Sequence, residues 1–259
     1  MTAGGAAGAA GGPFAGQVAL VTGGGGGIGG AVSRALLEQG ARVVCADLAA
    51  PQGPADARFR AETLDVRRRE DVHRVVDGIL AREGRLDLLV NVAGVVSHGS
   101  AEALAEDEWD RVLDINLKGT FLCCQAVMAP MRDQRYGRIV NIGSVVGKNA
   151  GNARPWLAPA EQNVAGNVAY GVSKAGVHAL TGFLAKELAS HGVTVNAVAP
   201  GPVATAMTTG FPEALRATVP VGRMGELSDV VRAVLFLASR DNGFINGEVL
   251  DVNGGMWCD

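Results

Sequence analysis

A chain of 259 residues, 48% hydrophobic and 19% charged with a net charge of −3, is long and apolar enough to bury a full core. It has neither the basic excess of a nucleic-acid binder nor the composition of a disordered chain, so small-molecule chemistry is expected and a nucleic-acid partner is not. Cys45, Cys123, Cys124 and Cys258 show no metal-ligand spacing, and with only four histidines no metal site is expected.

In chain order, residues 1–13 are almost all alanine and glycine and read as a disordered tail before a single domain over 14–259. The start lacks the basic n-region and apolar core of a signal peptide, and no stretch approaches about 18 uninterrupted apolar residues. A cytoplasmic protein with reduced thiols and no membrane partner is the expectation.

Val18 to Gly30 is an apolar run that stops in the glycines 23–27 and restarts as a helical pattern through Ala31 to Gln39, with Gly40 as its stop. Strand, glycine turn and helix N-terminus together bring backbone N–H groups and a positive dipole end to a pyrophosphate. The glycines alone are weak evidence, since the tail is equally glycine-rich. The deciding feature is Asp47, about 20 residues on at the end of a second strand, Ala41–Ala46, where a Rossmann unit places its ribose-binding carboxylate.

After a proline-containing loop, a short strand runs from Ala61 into Asp65 and Val66. Asp65 either contacts adenine or caps the helix Arg69–Glu83, and aspartate suits both roles. Leu86–Val90 reads as a fourth strand entering Asn91-Val-Ala93-Gly94, with a glycine suited to close cofactor approach. A long helix follows from Glu106 into Trp109–Arg132, with Asn116 in its middle. Asparagine competes there for backbone hydrogen bonds, so it either bends the helix for a purpose or is a tolerated surface residue. Gly137–Ile142 is a fifth strand ending at Gly143-Ser144, a helix spans Tyr170–His191, and Val193–Val198 is a sixth strand running to Pro200-Gly201-Pro202. A helix over Ser228–Ser239 and a strand over Gly247–Val252 complete the pattern. Such alternation implies an α/β fold, a doubly wound parallel sheet of about seven strands with helices on both faces.

Tyr170 and Lys174 lie four residues apart, on one face of one helix. A free phenol titrates near ~10, so a tyrosine base at neutral pH needs a depressed pKa, and a nearby cation has the correct sign. Lys174 and an oxidised nicotinamide ring would be those cations, with the Ser144 hydroxyl holding the substrate oxygen beside the phenol. Ser173 and His178 read as packing residues.

With these residues in place the chain resembles the short-chain dehydrogenase/reductase family from about Gly16 to Met256. The family's glycine motif falls on Thr22, Gly23, Gly27, Ile28 and Gly29, and its Asn-Asn-Ala-Gly motif appears as Asn91-Val-Ala93-Gly94, with valine at the second position. Its catalytic Asn, Ser, Tyr and Lys fall on Asn116, Ser144, Tyr170 and Lys174. Its Pro-Gly turn and nicotinamide-contacting threonine fall on Pro200, Gly201 and Thr205, with Val203 offering its backbone. The resemblance implies that Tyr170 moves the hydroxyl proton, that Lys174 depresses its pKa and holds the nicotinamide ribose, and that Ser144 orients the substrate oxygen. Asn116 would fix a water in a proton relay. It also implies a homotetramer, for which Phe121–Met128, Val177–Leu188 and Val249–Val252 offer apolar surface.

The leading functional expectation is an NAD(H)-dependent oxidoreductase acting on a secondary alcohol or ketone. A 3-oxoacyl-thioester reductase is the close alternative, and a non-catalytic dinucleotide sensor a distant one, since fold does not dictate function. NAD is preferred because the glycine turn carries no basic residue and Asp47 would repel a 2′-phosphate. Tyr170 stands 26 positions after Ser144, more than the family's usual spacing. The extra residues form a loop pinned at both ends by the site. Arg154, Trp156 and Asn163 are its candidate substrate contacts, with an inert excursion or an oligomer contact as the alternative.

Overall fold

The structure is a computed structural model and describes residues 11–151, 167–205 and 216–258. Seven parallel strands form one sheet in the order β3-β2-β1-β4-β5-β6-β7. They are β1 Val18–Thr22, β2 Arg42–Asp47, β3 Phe59–Thr63, β4 Leu88–Asn91, β5 Gly137–Ile142, β6 Val193–Pro200 and β7 Val249–Val252. The strand order reverses between β1 and β4, and in such sheets ligands bind in the crevice beyond the strand C-termini at that reversal.

Strands β1, β4, β5 and β6 are buried along their whole length. Their valines, leucines and isoleucines feed two cores, one on each face of the sheet, as expected for parallel strands covered on both sides. Helices α1 (Gly27–Glu38) and α7 (Leu227–Ala238) cover one face through Val32, Leu36, Val230 and Val234. On the other face pack α2 (Arg69–Glu83), α4 (Gly119–Gln134) and α6 (Val168–Leu188). Short helices α3 (Glu106–Leu113) and α5 (Val146–Asn149) lead into α4 and leave β5.

Most expected elements recur within a few residues, and β5 and α2 coincide in both bounds. Four details differ. Strand β4 starts at Leu88 instead of Leu86, because Asp87 is spent on the Val18 N–H and on Arg85. Gly12 and Pro13 do not belong to a free tail: Gly12 takes the Ala15 N–H and a Cβ there would overlap the Gln39 carbonyl, while Phe14 is fully buried. Residues 1–10 lie outside the described residues. Asp65 is not a helix cap. The N-cap of α2 is Arg68 without a side-chain bond, and Asp65 instead holds Arg67 through its backbone N–H and its guanidinium. The long helix from Glu106 is interrupted by a π-helical turn, Asp114–Lys118. This 29-residue run is long and apolar enough to pass for a membrane span by composition, yet half of its most apolar window is buried inside the fold.

Candidate active site

A cavity of about 390 Å³ lies along the strand C-termini at the β1/β4 reversal, within the size range of cofactor sites. One half is lined by Gly23, Gly27, Ile28, Asp47, Asp65 and Val66, the other by Ala93, Gly94, Tyr170, Lys174 and Thr205.

The glycine turn is built for close approach. Gly23 has φ +68°, and a Cβ there would lie 2.6 Å from the Ala93 nitrogen. At Gly29 a Cβ would overlap the Gly23 carbonyl, so the third glycine lets α1 close onto the turn. Helix α1 begins with no side-chain cap and no acidic residue in its first turn. Its first N–H groups therefore remain for an anion. Asp47 Oδ2 accepts the Gly25 N–H at 2.8 Å and Oδ1 accepts the Leu48 N–H at 2.7 Å, which fixes the carboxylate at the cavity rim. The cradle, the uncapped helix start and the rim carboxylate fit a nicotinamide dinucleotide.

Five residues read as cofactor contacts stand behind this wall. Gly29 lies behind Gly23, against its carbonyl. Asn91 turns its amide into the sheet, donating to Asn141 Oδ1 at 2.9 Å and Cys124 Sγ at 3.3 Å. The Thr22 hydroxyl accepts the N–H groups of Val92 and Ala93 and so ties the ends of β1 and β4 together. Pro200 accepts the Val145 N–H, Gly201 packs its bare Cα face on Asn253, and buried Val203 pairs with Gly225.

At the other end the polar side chains converge. The Ser144 hydroxyl accepts the Val146 N–H at 3.2 Å, and the same side chain acts to lower the pKa of the Tyr170 phenol. Lys174 is buried, donates to the Ile142 carbonyl at 2.7 Å and stands 5.8 Å from the Tyr170 ring centre. Burial lowers its pKa to about 8. Burial also pushes the Tyr170 phenol above its usual value, with the Ser144 side chain acting in the opposite sense. The expectation of a depressed phenol is therefore not met by the protein's own groups, because desolvation outweighs the Ser144 contact.

Asn116 sits in the π-helical turn, fully buried. The inserted residue rotates its amide inward, where Oδ1 accepts the Val95 N–H at 2.8 Å and Nδ2 donates to the Val95 carbonyl at 2.9 Å and Ser173 Oγ at 3.0 Å. The side chain is thereby committed to the protein, and the Asn116 carbonyl accepts the Thr120 hydroxyl at 2.7 Å. Asn116 pins the Gly94–Val95 segment, and a Cβ at Gly94 would come within 3.3 Å of its Oδ1 and 3.5 Å of Lys174 Nζ. Ser173 and His178, read as packing residues, both bond to residues of the expected tetrad. Ser173 bridges Asn116 to the Tyr170 carbonyl, and His178 accepts the Ser144 N–H. The i, i+4, i+8 spacing of Tyr170, Lys174 and His178 was the available signal.

Residues 23–257 match the family described as Enoyl-(Acyl carrier protein) reductase. The chain is 39% identical over 251 residues to the (2S)-[(R)-hydroxy(phenyl)methyl]succinyl-CoA dehydrogenase subunit BbsD of Thauera aromatica, covering 92% of this chain and 96% of that one. It is 36% identical to the 3-oxoacyl-[acyl-carrier-protein] reductase FabG of Thermotoga maritima over 93% of this chain and 98% of that one. The FabG of Vibrio cholerae is 39% identical with the same coverage. Among solved structures, gox2181 superposes with a TM-score of 0.84 at 35% identity, covering 94% of this chain and 96% of that one. The chain belongs to the short-chain dehydrogenase/reductase family.

As a short-chain dehydrogenase/reductase the protein is an oxidoreductase that uses a nicotinamide dinucleotide. Arg154, Trp156 and Asn163, read as substrate contacts of this family member, lie outside the described residues.

Proposed function

We propose that the protein interconverts a 3-oxoacyl thioester and the corresponding 3-hydroxyacyl thioester, using NAD(H). The observation that carries the reaction type is the joint placement of Ser144, whose side chain lowers the pKa of the Tyr170 phenol, and of Lys174 over the same ring. Two hydroxyls converge where a carbonyl oxygen would accept a proton. The names of the similar proteins favour the thioester over the simple secondary alcohol expected from sequence: the FabG proteins are named for 3-oxoacyl groups, and BbsD for a hydroxyl on the carbon β to a thioester.

Hydride transfer is the chemistry that a bound nicotinamide dinucleotide supplies. The chain's residues supply position and the proton. Ser144 Oγ accepts from the Val146 N–H, so its own hydrogen is directed to the phenol oxygen or the substrate oxygen. Tyr170, held protonated by burial, donates to the oxygen that gains negative charge during reduction. In the reverse direction the phenol must first lose its proton, and the charge on Lys174 favours that form.

Asp47 supports NAD over NADP. Its carboxylate is fixed at the rim beside Gly25, where it would accept from a ribose diol and repel a 2′-phosphate. A homotetramer is part of the same reading. The exposed residues Val168, Val172, Ala175, Ala179 and Phe183 form one apolar stripe along α6, suited to a closed homo-oligomer.

The test is oxidation of NADH and NADPH by the purified protein with acetoacetyl-CoA, a 3-oxoacyl N-acetylcysteamine thioester, and linear and cyclic ketones lacking a thioester. The expected result is the highest kcat/KM for a 3-oxoacyl thioester with NADH. Turnover confined to the plain ketones would overturn the substrate class, and a preference for NADPH the cofactor.

A further inference from the structure

The chain leaves β5 through Gly143, Ser144 and Val145, and its N–H groups alternate in direction. The Gly143 N–H donates to the Val198 carbonyl at 2.8 Å and the Val145 N–H to the Pro200 carbonyl at 2.9 Å, both on β6. The Ser144 N–H between them must point away from β6, and Ser144 is buried. A buried N–H needs a protein partner. It finds His178 Nε2 at 3.3 Å, on α6 one turn beyond Lys174.

The imidazole has a fitted slot. A Cβ at Gly143 would overlap its Nε2, and a Cβ at Gly147 would stand 2.9 Å from its Cε1 and 2.8 Å from the Ala175 nitrogen. Two glycines thus flank the ring, one on the segment that carries Ser144 and one on α5. Because Nε2 accepts, the neutral ring carries its proton on Nδ1. The other end of the same serine is fixed by Val146, whose N–H donates to Ser144 Oγ. Backbone and hydroxyl are therefore set by two separate bonds, and the first depends on His178.

We propose that His178 is a positioning residue of the reaction: by accepting the Ser144 N–H it holds the serine hydroxyl in register with the Tyr170 phenol. The inference rests on the reading that Ser144 and Tyr170 carry the proton chemistry. His178 is not among the residues that line the cofactor cavity. Its loss should lower kcat and leave dinucleotide binding intact. A misplacement of about 1 Å at a reacting centre costs up to about a hundredfold in rate.

The experiment compares His178→Leu, His178→Gln and His178→Asn in the full-length protein. Gln can place its amide oxygen where Nε2 stands, whereas Asn reaches only the Nδ1 position and Leu offers no acceptor. Each variant is assayed for kcat and KM with NADH and acetoacetyl-CoA, for NADH affinity by fluorescence, and for Tm. Tyr170→Phe is run alongside. The expected result is a kcat about tenfold to a hundredfold lower for Leu and Asn, restored to within about threefold of wild type by Gln, with NADH affinity unchanged. If Leu does not fold, the contrast between Gln and Asn carries the test. Full kcat in folded Leu or Asn overturns the proposal, as does equal loss in Gln and Asn in step with Tm, which would mark His178 as packing alone. Full turnover by Tyr170→Phe would instead overturn the reading of the site, whatever His178 does.

Discussion

Lys174 Nζ donates to the Ile142 main-chain oxygen at 2.7 Å and lies 5.8 Å from the centre of the Tyr170 ring. The lysine is thus anchored to the sheet and acts on the phenol through space. Burial lowers its pKa to about 8 and raises that of Tyr170. Both shifts disfavour the charged form, and the pH dependence follows. Ketone reduction needs a protonated Tyr170 and a charged Lys174, so its kcat/KM for the dinucleotide should be flat through neutral pH and fall above about pH 8. That parameter reports the groups of the free enzyme. Alcohol oxidation, which needs the phenolate beside a charged Lys174, should rise towards pH 8 and level off as that lysine loses its proton. The stability sign is separate. The folded state binds fewer protons than the unfolded one between about pH 8 and the ordinary lysine value, so this lysine's contribution improves as pH rises through that window. A pH profile of reduction that rises above pH 8 would contradict the assignment.

Asp47→Ala should narrow the preference for NAD over NADP, because it removes both the acceptor for a ribose hydroxyl and the charge that repels a 2′-phosphate. It also removes the partner of the Gly25 N–H, so some loss of affinity for both dinucleotides is expected. Steady-state kinetics with each at low, equal concentration checks this. An unchanged NAD/NADP ratio would remove Asp47 from the specificity.

Asn116→Ala should destabilise the protein as well as slow it. The substitution leaves the Val95 N–H and carbonyl and the Ser173 hydroxyl without their amide partner in a fully buried position. A buried polar group left without a partner costs about 1–3 kcal/mol, and at this chain length that corresponds to a Tm lower by on the order of 2–10 °C. Differential scanning calorimetry reads it. An unaltered Tm would mean that the Val95 segment does not depend on the asparagine.

Self-association should run through the stripe on α6. Phe183, 76% exposed, is its most exposed member. Light scattering at micromolar concentration should give a tetramer mass, and Phe183→Glu should lower it without unfolding the chain. A monomer mass for the wild type would reject the homotetramer.

The sheet was legible because its signals are local. Gly137 opens β5 and Gly143-Ser144 follows it, and the αL residue Gly84 ends α2. Tyr170 and Lys174 were legible through their spacing. The rest depends on tertiary contacts. The apolar period around Asn116 runs on as if one helix continued, and only the bonds to Val95 and Ser173 show why a π-helical turn is held there. At Asp65 the residue type suits a cap and an adenine contact alike, and only the side-chain geometry shows that the neighbouring Arg67 occupies the carboxylate. The role of His178 needed the direction of one N–H group, set by β6, which is distant in the chain.

Tyr170→Phe tests the account most directly, in a single-turnover measurement of NADH oxidation by a 3-oxoacyl thioester. The substitution deletes the proton donor and almost no packing volume. Hydride transfer should slow by about 10²–10⁴-fold, the usual worth of general acid catalysis, while NADH affinity and Tm stay at wild-type values. A variant that keeps its transfer rate would contradict the placing of the proton step at Tyr170.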